Sequence, residues 1–462
     1  MYARFGRARS MLLAARGRLL PALVLGAVVV GTQAGNACAT FEAPGAQVSG
    51  ARVSDAQAPG AQVSDARARY RAMALQAQRF TWQRLAYTGG SVAGGPSDCA
   101  SAPYVAYRRN TGQDTTISDH WYSALQVRAD AALVRLGDEQ YRCETEKAMA
   151  WMELLWAPSL GAYAPRADLD GSNQTLVDVY ADDNAVIGLA FLETARITRD
   201  PALRARGLEG ARRAASFLGA TGVWDGTFGG GLWWTNQREQ LGEGKHALPT
   251  ALMAQLMAEL YVETREPAYL QSARDALGWL DATLWNPHHE LYAYGIDVDR
   301  NDPTRTVVTN GTFFGYDQAI AIQALLTLHR IEPGDGALLA RAQRIGRAVD
   351  RAFWQPELGG YTLQASVLDL YAPYGAWISD ALLDLYATDG DPFWRDRAQA
   401  NLDALARVFG NGEGGYYRLA FKCVGERAAL CGPGETYGLD RVVYTMSQAT
   451  MQRAAALISA AY

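Results

Sequence analysis

Thr198-Arg199-Asp200-Pro201, Thr264-Arg265-Glu266-Pro267, Ile331-Glu332-Pro333 and Gly390-Asp391-Pro392 punctuate the chain, and their spacing decides the fold. Asp200 and Glu266 lie 66 residues apart, as do Glu266 and Glu332. Proline after an acidic residue reads as a helix start, because the N–H it lacks would go unpaired in a first turn anyway. Leu136-Gly137-Asp138 holds the same place one period earlier. On both sides of these turns apolar residues recur at helical spacing. The pattern predicts twelve helices, over 68–86, 118–136, 142–156, 180–197, 201–218, 248–264, 267–283, 314–331, 336–353, 374–388, 391–409 and 442–460.

The alternate connections differ in kind. They carry Gly161-Ala162-Tyr163, Phe228-Gly229-Gly230-Gly231-Leu232-Trp233-Trp234, Leu291-Tyr292-Ala293-Tyr294, Leu358-Gly359-Gly360-Tyr361 and Glu413-Gly414-Gly415-Tyr416-Tyr417. Glycine beside aromatics suggests short hairpins. Each helix pair therefore has a tight turn at one end and a long aromatic loop at the other. Such periodicity means a solenoid or a closed ring. Six hairpins of this size fit an all-α (α/α)6 barrel with short β-hairpin loops at one rim, where a groove would form. Periodicity alone also fits an open solenoid.

Within that frame Tyr180-Ala181-Asp182-Asp183-Asn184-Ala185 stands out. Two carboxylates open a largely apolar helix at the long-loop end, where ionised side chains are rare without a task. Neighbouring acids can act on one sugar carbon as nucleophile and general acid/base, a geometry that needs carboxyl groups about 5–5.5 Å apart. Helix starts also attract acids through the dipole and free N–H groups, so capping accounts for the pair as well.

The remaining sequence sets the context. Residues 1–39 read as a secretory signal: Arg4, Arg7, Arg9, Arg16 and Arg18, then an apolar run from Leu19 to Val30, then Ala37-Cys38-Ala39 as a cleavage site. A lipid anchor on Cys38 is an alternative that Gly35-Asn36-Ala37 does not favour. Residues 40–67 read as a low-complexity linker, since the heptapeptide Ala43–Ser49 recurs at Ala58–Ser64 and has little to bury. Residues 68–462 form one catalytic domain. No later stretch is apolar enough to span a membrane. Removal of the leader leaves four cysteines, which pair as Cys99-Cys143 and Cys423-Cys431 in an oxidising compartment. The chain is exported, whether to a periplasm, a cell surface or the medium, and is a monomer. A net charge of −5 without a basic aromatic patch argues against nucleic acid. Twelve Trp and 23 Tyr offer faces on which sugar rings stack. No metal-ligand spacing, phosphate loop or nucleophile elbow occurs, so no cofactor is expected.

The acid pair, followed one hairpin later by Gly229-Gly230-Gly231-Leu232-Trp233-Trp234, resembles glycoside hydrolase family 76, over roughly residues 70–410. The resemblance implies a retaining endo-α-1,6-mannanase or related transglycosylase on an (α/α)6 barrel, with Asp182 as nucleophile and Asp183 as general acid/base. Lys245-His246-Ala247-Leu248-Pro249-Thr250 and Tyr316-Asp317-Gln318 correspond to family segments that border the substrate. His246 and Thr250 stand where the family has asparagine, and Val186 and Ile187 where it is aromatic, which implies retained chemistry on a changed sugar. Substrate contacts are thus expected from Trp233, Trp234, His246, Tyr316, Asp317, Gln318 and Tyr361, and the partner is a polysaccharide or oligosaccharide. Asp225, beside Trp224, is either a groove acid or a turn residue. Two other readings compete: an (α/α)6 sugar enzyme of epimerase or unsaturated-uronyl-hydrolase type, and a non-catalytic glycan-binding barrel. Epimerases of that kind use paired histidines, and the five here show no paired placement in sequence.

Overall fold

The computed structural model describes residues 59–89, 96–112, 114–219, 222–238, 244–298, 306–308, 312–364 and 370–462. The expected leader and the linker up to residue 58 lie outside the described residues. Twelve α-helices run through the described residues. They are α1 (Pro59–Arg84), α2 (His120–Arg135), α3 (Arg142–Leu154), α4 (Ala181–Ile197), α5 (Pro201–Leu218) and α6 (Ala247–Thr264), then α7 (Pro267–Trp279), α8 (Gly315–Ile331), α9 (Gly336–Phe353), α10 (Ala372–Asp389), α11 (Pro392–Phe409) and α12 (Thr445–Ala460). The first helix begins earlier than expected, because Val63-Ser64-Asp65-Ala66-Arg67 contains neither glycine nor proline to stop it.

Even-numbered helices form an inner ring and odd-numbered helices an outer one. Along the inner ring α2, α4, α6, α8, α10 and α12 each pack on the next, and α12 packs back on α2. That last contact closes the ring, so the fold is an (α/α)6 barrel rather than an open solenoid. The sequence explains which helix goes where. In α4 every residue from Ala181 to Ala195 is buried, as in α8 from Gly315 to Leu328. Such helices have no polar face to offer water. In the outer helix α9 the buried residues Ala342, Ile345, Ala348, Val349 and Phe353 make one stripe, and the opposite face carries arginines. Each fully buried leucine of the inner ring contributes roughly 1.5–3 kcal/mol.

Pro201, Pro267 and Pro392 start helices as read, whereas after Pro333 the helix begins only at Gly336, capped by Asp335. Asp200 accepts from the Ala202 N–H at 2.8 Å and Asp391 from the Phe393 N–H at 3.0 Å, each with proline in the first turn. At the long-loop end, three hairpins share one packing unit. Trp156 meets Tyr163, Trp285 meets Tyr292, and Trp354 meets Tyr361, edge to face, at 5.1, 5.3 and 5.0 Å. Cys99 pairs with Cys143 and Cys423 with Cys431, as expected. No helix among the described residues is long and apolar enough to cross a membrane.

One device repeats at every inner-helix start and fixes the rim. The residue just before each inner helix is extended and forms an antiparallel bridge to the next long loop. Asp119 pairs with Arg166, Tyr180 with Thr235, His246 with Gly295, Phe314 with Gln364 and Tyr371 with Leu419. The sixth, Tyr444 with Asn110, joins the last loop to the first.

Candidate active site

The six inner-helix N-termini meet at this rim, and with them come the acids. Asp182 and Asp183 occupy the first turn of α4, with 5% and 3% of their surface exposed. Asp182 Oδ1 accepts from the Trp234 indole N–H at 2.9 Å and from the Asp183 backbone N–H at 3.1 Å. Both donors orient the Asp182 carboxyl at the N-terminus of α4. His120, the first residue of α2, is fully buried and presents Nε2 to Asp183 Oδ2 at 3.5 Å. Beside it Asp119 is ion-paired with Arg109 at 3.1 Å, both nearly dry. Burial pushes the Asp119 carboxyl up and the charge of Asp183 adds to this, while Arg109 opposes it.

Trp234 is held in place by the glycine-rich turn, and that turn is built around Lys245. The Lys245 side chain is wholly buried, yet its ammonium reaches Asp225 Oδ1 at 2.7 Å and the carbonyls of Asp225, Thr227 and Gly230 at 3.1, 2.6 and 2.8 Å. It also lies over the Trp233 ring at 5.1 Å, and the Trp233 N–H donates to Asp225 Oδ2. Asp225 is therefore a turn residue. Gly231 has φ +80°, and a Cβ there would run into the Trp279 ring, so the turn requires glycine on both counts.

The expected substrate residues divide in two. Trp234, His246, Tyr316 and Asp317 lie on inner-helix starts or next to them. Trp233, Gln318 and Tyr361 are engaged elsewhere. Trp233 serves the lysine-centred turn. Gln318 exchanges hydrogen bonds with the Tyr292 N–H and carbonyl, both at 2.8 Å, and so pins a hairpin. Tyr361 donates to Asp350 from inside its own hairpin at 3.1 Å. These contacts account for their burial without a ligand.

Aromatic rings continue from Trp234 around the rim. His246 lies 5.8 Å from Trp234 and stacks on Tyr294 at 4.5 Å. Tyr294, Phe314, Tyr316 and Tyr374 follow at successive centroid distances of 5.3, 5.2 and 4.2 Å. Tyr374 leads to Trp377 and Trp377 to Trp121, next to His120. This belt and the acid pair share one end of the ring, a combination suited to a carbohydrate. Sequence reading missed His120, Asp119, Arg109, Tyr294 and Tyr374. A usable signal existed: Ser118-Asp119-His120-Trp121-Tyr122 opens α2 as Asp182-Asp183 opens α4.

A ring of six helical hairpins with acids and aromatics gathered at one rim defines a class of carbohydrate-active barrel. The model of glycosyl hydrolase family 76 matches residues 104–367, more than half of the chain, and the chain belongs to that family. Solved structures agree in fold. A family 76 glycoside hydrolase from a bovine Bacteroides thetaiotaomicron strain superposes with a TM-score of 0.65 at 19% identity, over 85% of this chain and 77% of the other. An inactive variant of the α-1,6-mannanase of Salegentibacter sp. HEL1_6, in complex with α-1,6-mannotriose, gives 0.59 at 16%, over 85% and 100%. A D-mannose isomerase gives 0.62 at 14%, over 86% and 98%. No curated protein matches the chain in sequence.

Proposed function

We propose that this chain is an exported retaining glycoside hydrolase that cleaves an α-linked, mannan-type polysaccharide in the manner of an endo-α-1,6-mannanase. The observation that carries this reading is the consecutive pair Asp182-Asp183 at the rim of a family 76 barrel. The inactive Salegentibacter mannanase variant has two consecutive aspartates replaced by asparagine, which supports giving the chemistry to this pair. Export rests on the leader-like segment and on two disulfides.

The roles are those the family resemblance implies, and the surroundings support them. Asp182, charged and aimed by the Trp234 N–H, attacks the anomeric carbon, and the bond to the leaving oxygen breaks as Asp183 gives that oxygen its proton. A covalent glycosyl-enzyme results. Asp183, now a carboxylate, takes a proton from water as the hydroxyl attacks the same carbon and frees Asp182. The belt from His246 to Tyr374 supplies stacking faces, and Asp317 a hydrogen-bond acceptor for sugar hydroxyls.

Incubation with linear α-1,6-mannan, read by oligosaccharide profiling, tests the proposal. The wild type should release short mannosides, and Asp182→Asn should lose at least about 10³-fold in rate while melting at the same temperature. Full activity in Asp182→Asn would remove the proposed nucleophile. Because His120 adjoins Asp183, mannose is included as a second substrate. Its conversion to a ketose without hydrolysis of mannan would favour a sugar isomerase instead.

A further inference from the structure

We propose that His120 is the positioning residue of Asp183, holding its carboxyl in the orientation from which it donates and recovers the proton. The inference rests on the hydrolase reading above and goes beyond it, since it assigns work to a residue outside the acid pair.

His120 has none of its surface exposed, and among the described residues neither ring nitrogen makes a hydrogen bond within the protein. A buried polar ring left in that state costs roughly 1–3 kcal/mol. Its closest acidic neighbour is Asp183 Oδ2, at 3.5 Å from Nε2. The gap is slightly longer than a hydrogen bond, as catalytic contacts often are before substrate closes them. The backbone fixes the ring's position firmly. Ile117–Asp119 pairs with Arg166–Asp168, and the His120 N–H donates to the Pro165 carbonyl at 3.0 Å. The neighbouring helices α2 and α4 thus bring their N-termini together with His120 and Asp183 between them.

An imidazole suits an acid that changes charge twice per turnover. With its proton on Nε2, a neutral imidazole donates to Oδ2 in both states of Asp183, as the acid with its reacting proton on the other oxygen and as the carboxylate. Either way the contact with His120 runs through Oδ2. No atom is transferred to His120, so the proton balance of the double displacement is unchanged.

The test compares leaving groups. Protonation matters for a sugar leaving group and hardly at all for 2,4-dinitrophenolate, so the substrates are α-1,6-mannotetraose and 2,4-dinitrophenyl α-1,6-mannobioside. His120→Leu should lower kcat on mannotetraose by about 10²-fold with KM within about 2-fold, and lower the pre-steady-state burst rate of aryl release, which reports the first step alone, by less than about 5-fold. His120→Gln, which returns an N–H near the Nε2 position, should regain about 10-fold on mannotetraose and guards against a folding defect in the leucine variant. Equal losses on the two substrates, an unchanged kcat, or no recovery in a folded His120→Gln protein would overturn the inference alone. A wild type that cleaves neither substrate would overturn the hydrolase reading and this inference with it.

Discussion

Asp183 and Glu193 lie ten residues apart on the same helix, both nearly dry, and the protein treats them in opposite ways. Glu193 is gripped by guanidinium groups: Arg128 and Arg135 at 2.9 Å and Arg453 at 3.0 Å. Burial alone would push its carboxyl up, but the charges of Arg453, Arg135 and Arg128 hold it well below the usual range. Asp183 faces an imidazole instead, and its neighbour Asp182 leans on a neutral indole. A carboxylate inside a fork of arginines cannot exchange a proton near neutral pH. The contrast separates an acid that holds the barrel together from an acid available for chemistry, though burial alone looks the same for both.

The strongest way to break that comparison is to remove the clamp. Arg453, on α12, ties its own helix to three other inner helices, since it bonds Glu193 of α4, Asp380 of α10 at 3.0 Å and the Arg128 carbonyl of α2 at 2.9 Å. Arg453→Met leaves Asp380 buried without its cation and Glu193 with fewer. Stability should fall by about 3–5 kcal/mol, measured by urea unfolding, while the folded fraction keeps its kcat. A loss below about 1 kcal/mol would mean the network is redundant, and Glu193 would no longer contrast with the rim acids.

Much of this arrangement was legible in the sequence, for local reasons. Asp200 and Asp391 cap their helices, Pro201, Pro267 and Pro392 start theirs, and the acid pair stood out because an apolar helix has no ordinary use for it. Closure was not legible. It depends on α12 meeting α2 and on the bridge from Tyr444 to Asn110, contacts between chain segments hundreds of residues apart that leave no mark on periodicity. His120 escaped for a related reason: a lone histidine at a helix start has no signature until the next inner helix sets Asp183 beside it. Lys245, Trp233 and Gln318 stand inside motifs, and only the three-dimensional contacts show that they support loops.

A finer test alters what aims Asp182 without touching the pair. Trp234→Phe removes the indole N–H and keeps a ring between Tyr180, at 5.2 Å, and His246. A hydrogen bond to a charged group contributes about 1.5–3 kcal/mol, so kcat on mannan should drop about 10- to 100-fold with little change in melting temperature. An unchanged kcat would show that Asp182 is oriented by its helix alone. The rim would then resemble the clamped region more closely than its contacts suggest.

The smallest expected effect lies inside the clamp and turns on the sign of a proton. Asp380 shares Arg453 with Glu193, yet burial pushes its carboxyl up to about 7, with Arg453 too weak to restore it and Asp384 pushing the same way. In the unfolded chain Asp380 has an ordinary carboxylate value near 3.8. Between those values the folded state holds more protons than the unfolded one, so this group makes stability fall as pH rises from about 4 to about 7. Glu193 acts the other way. Its contribution is full above its unfolded value of 4.5 and is lost as pH falls through its lower folded value. One network therefore limits stability on both sides of an optimum. Asp380→Asn should flatten the neutral limb in urea unfolding at pH 5 and pH 8, leaving the acid limb, set by Glu193, in place. A variant whose neutral limb stays as steep as the wild type's would show that Asp380 is charged throughout. In that case both carboxylates around Arg453 would be structural ions of the same kind.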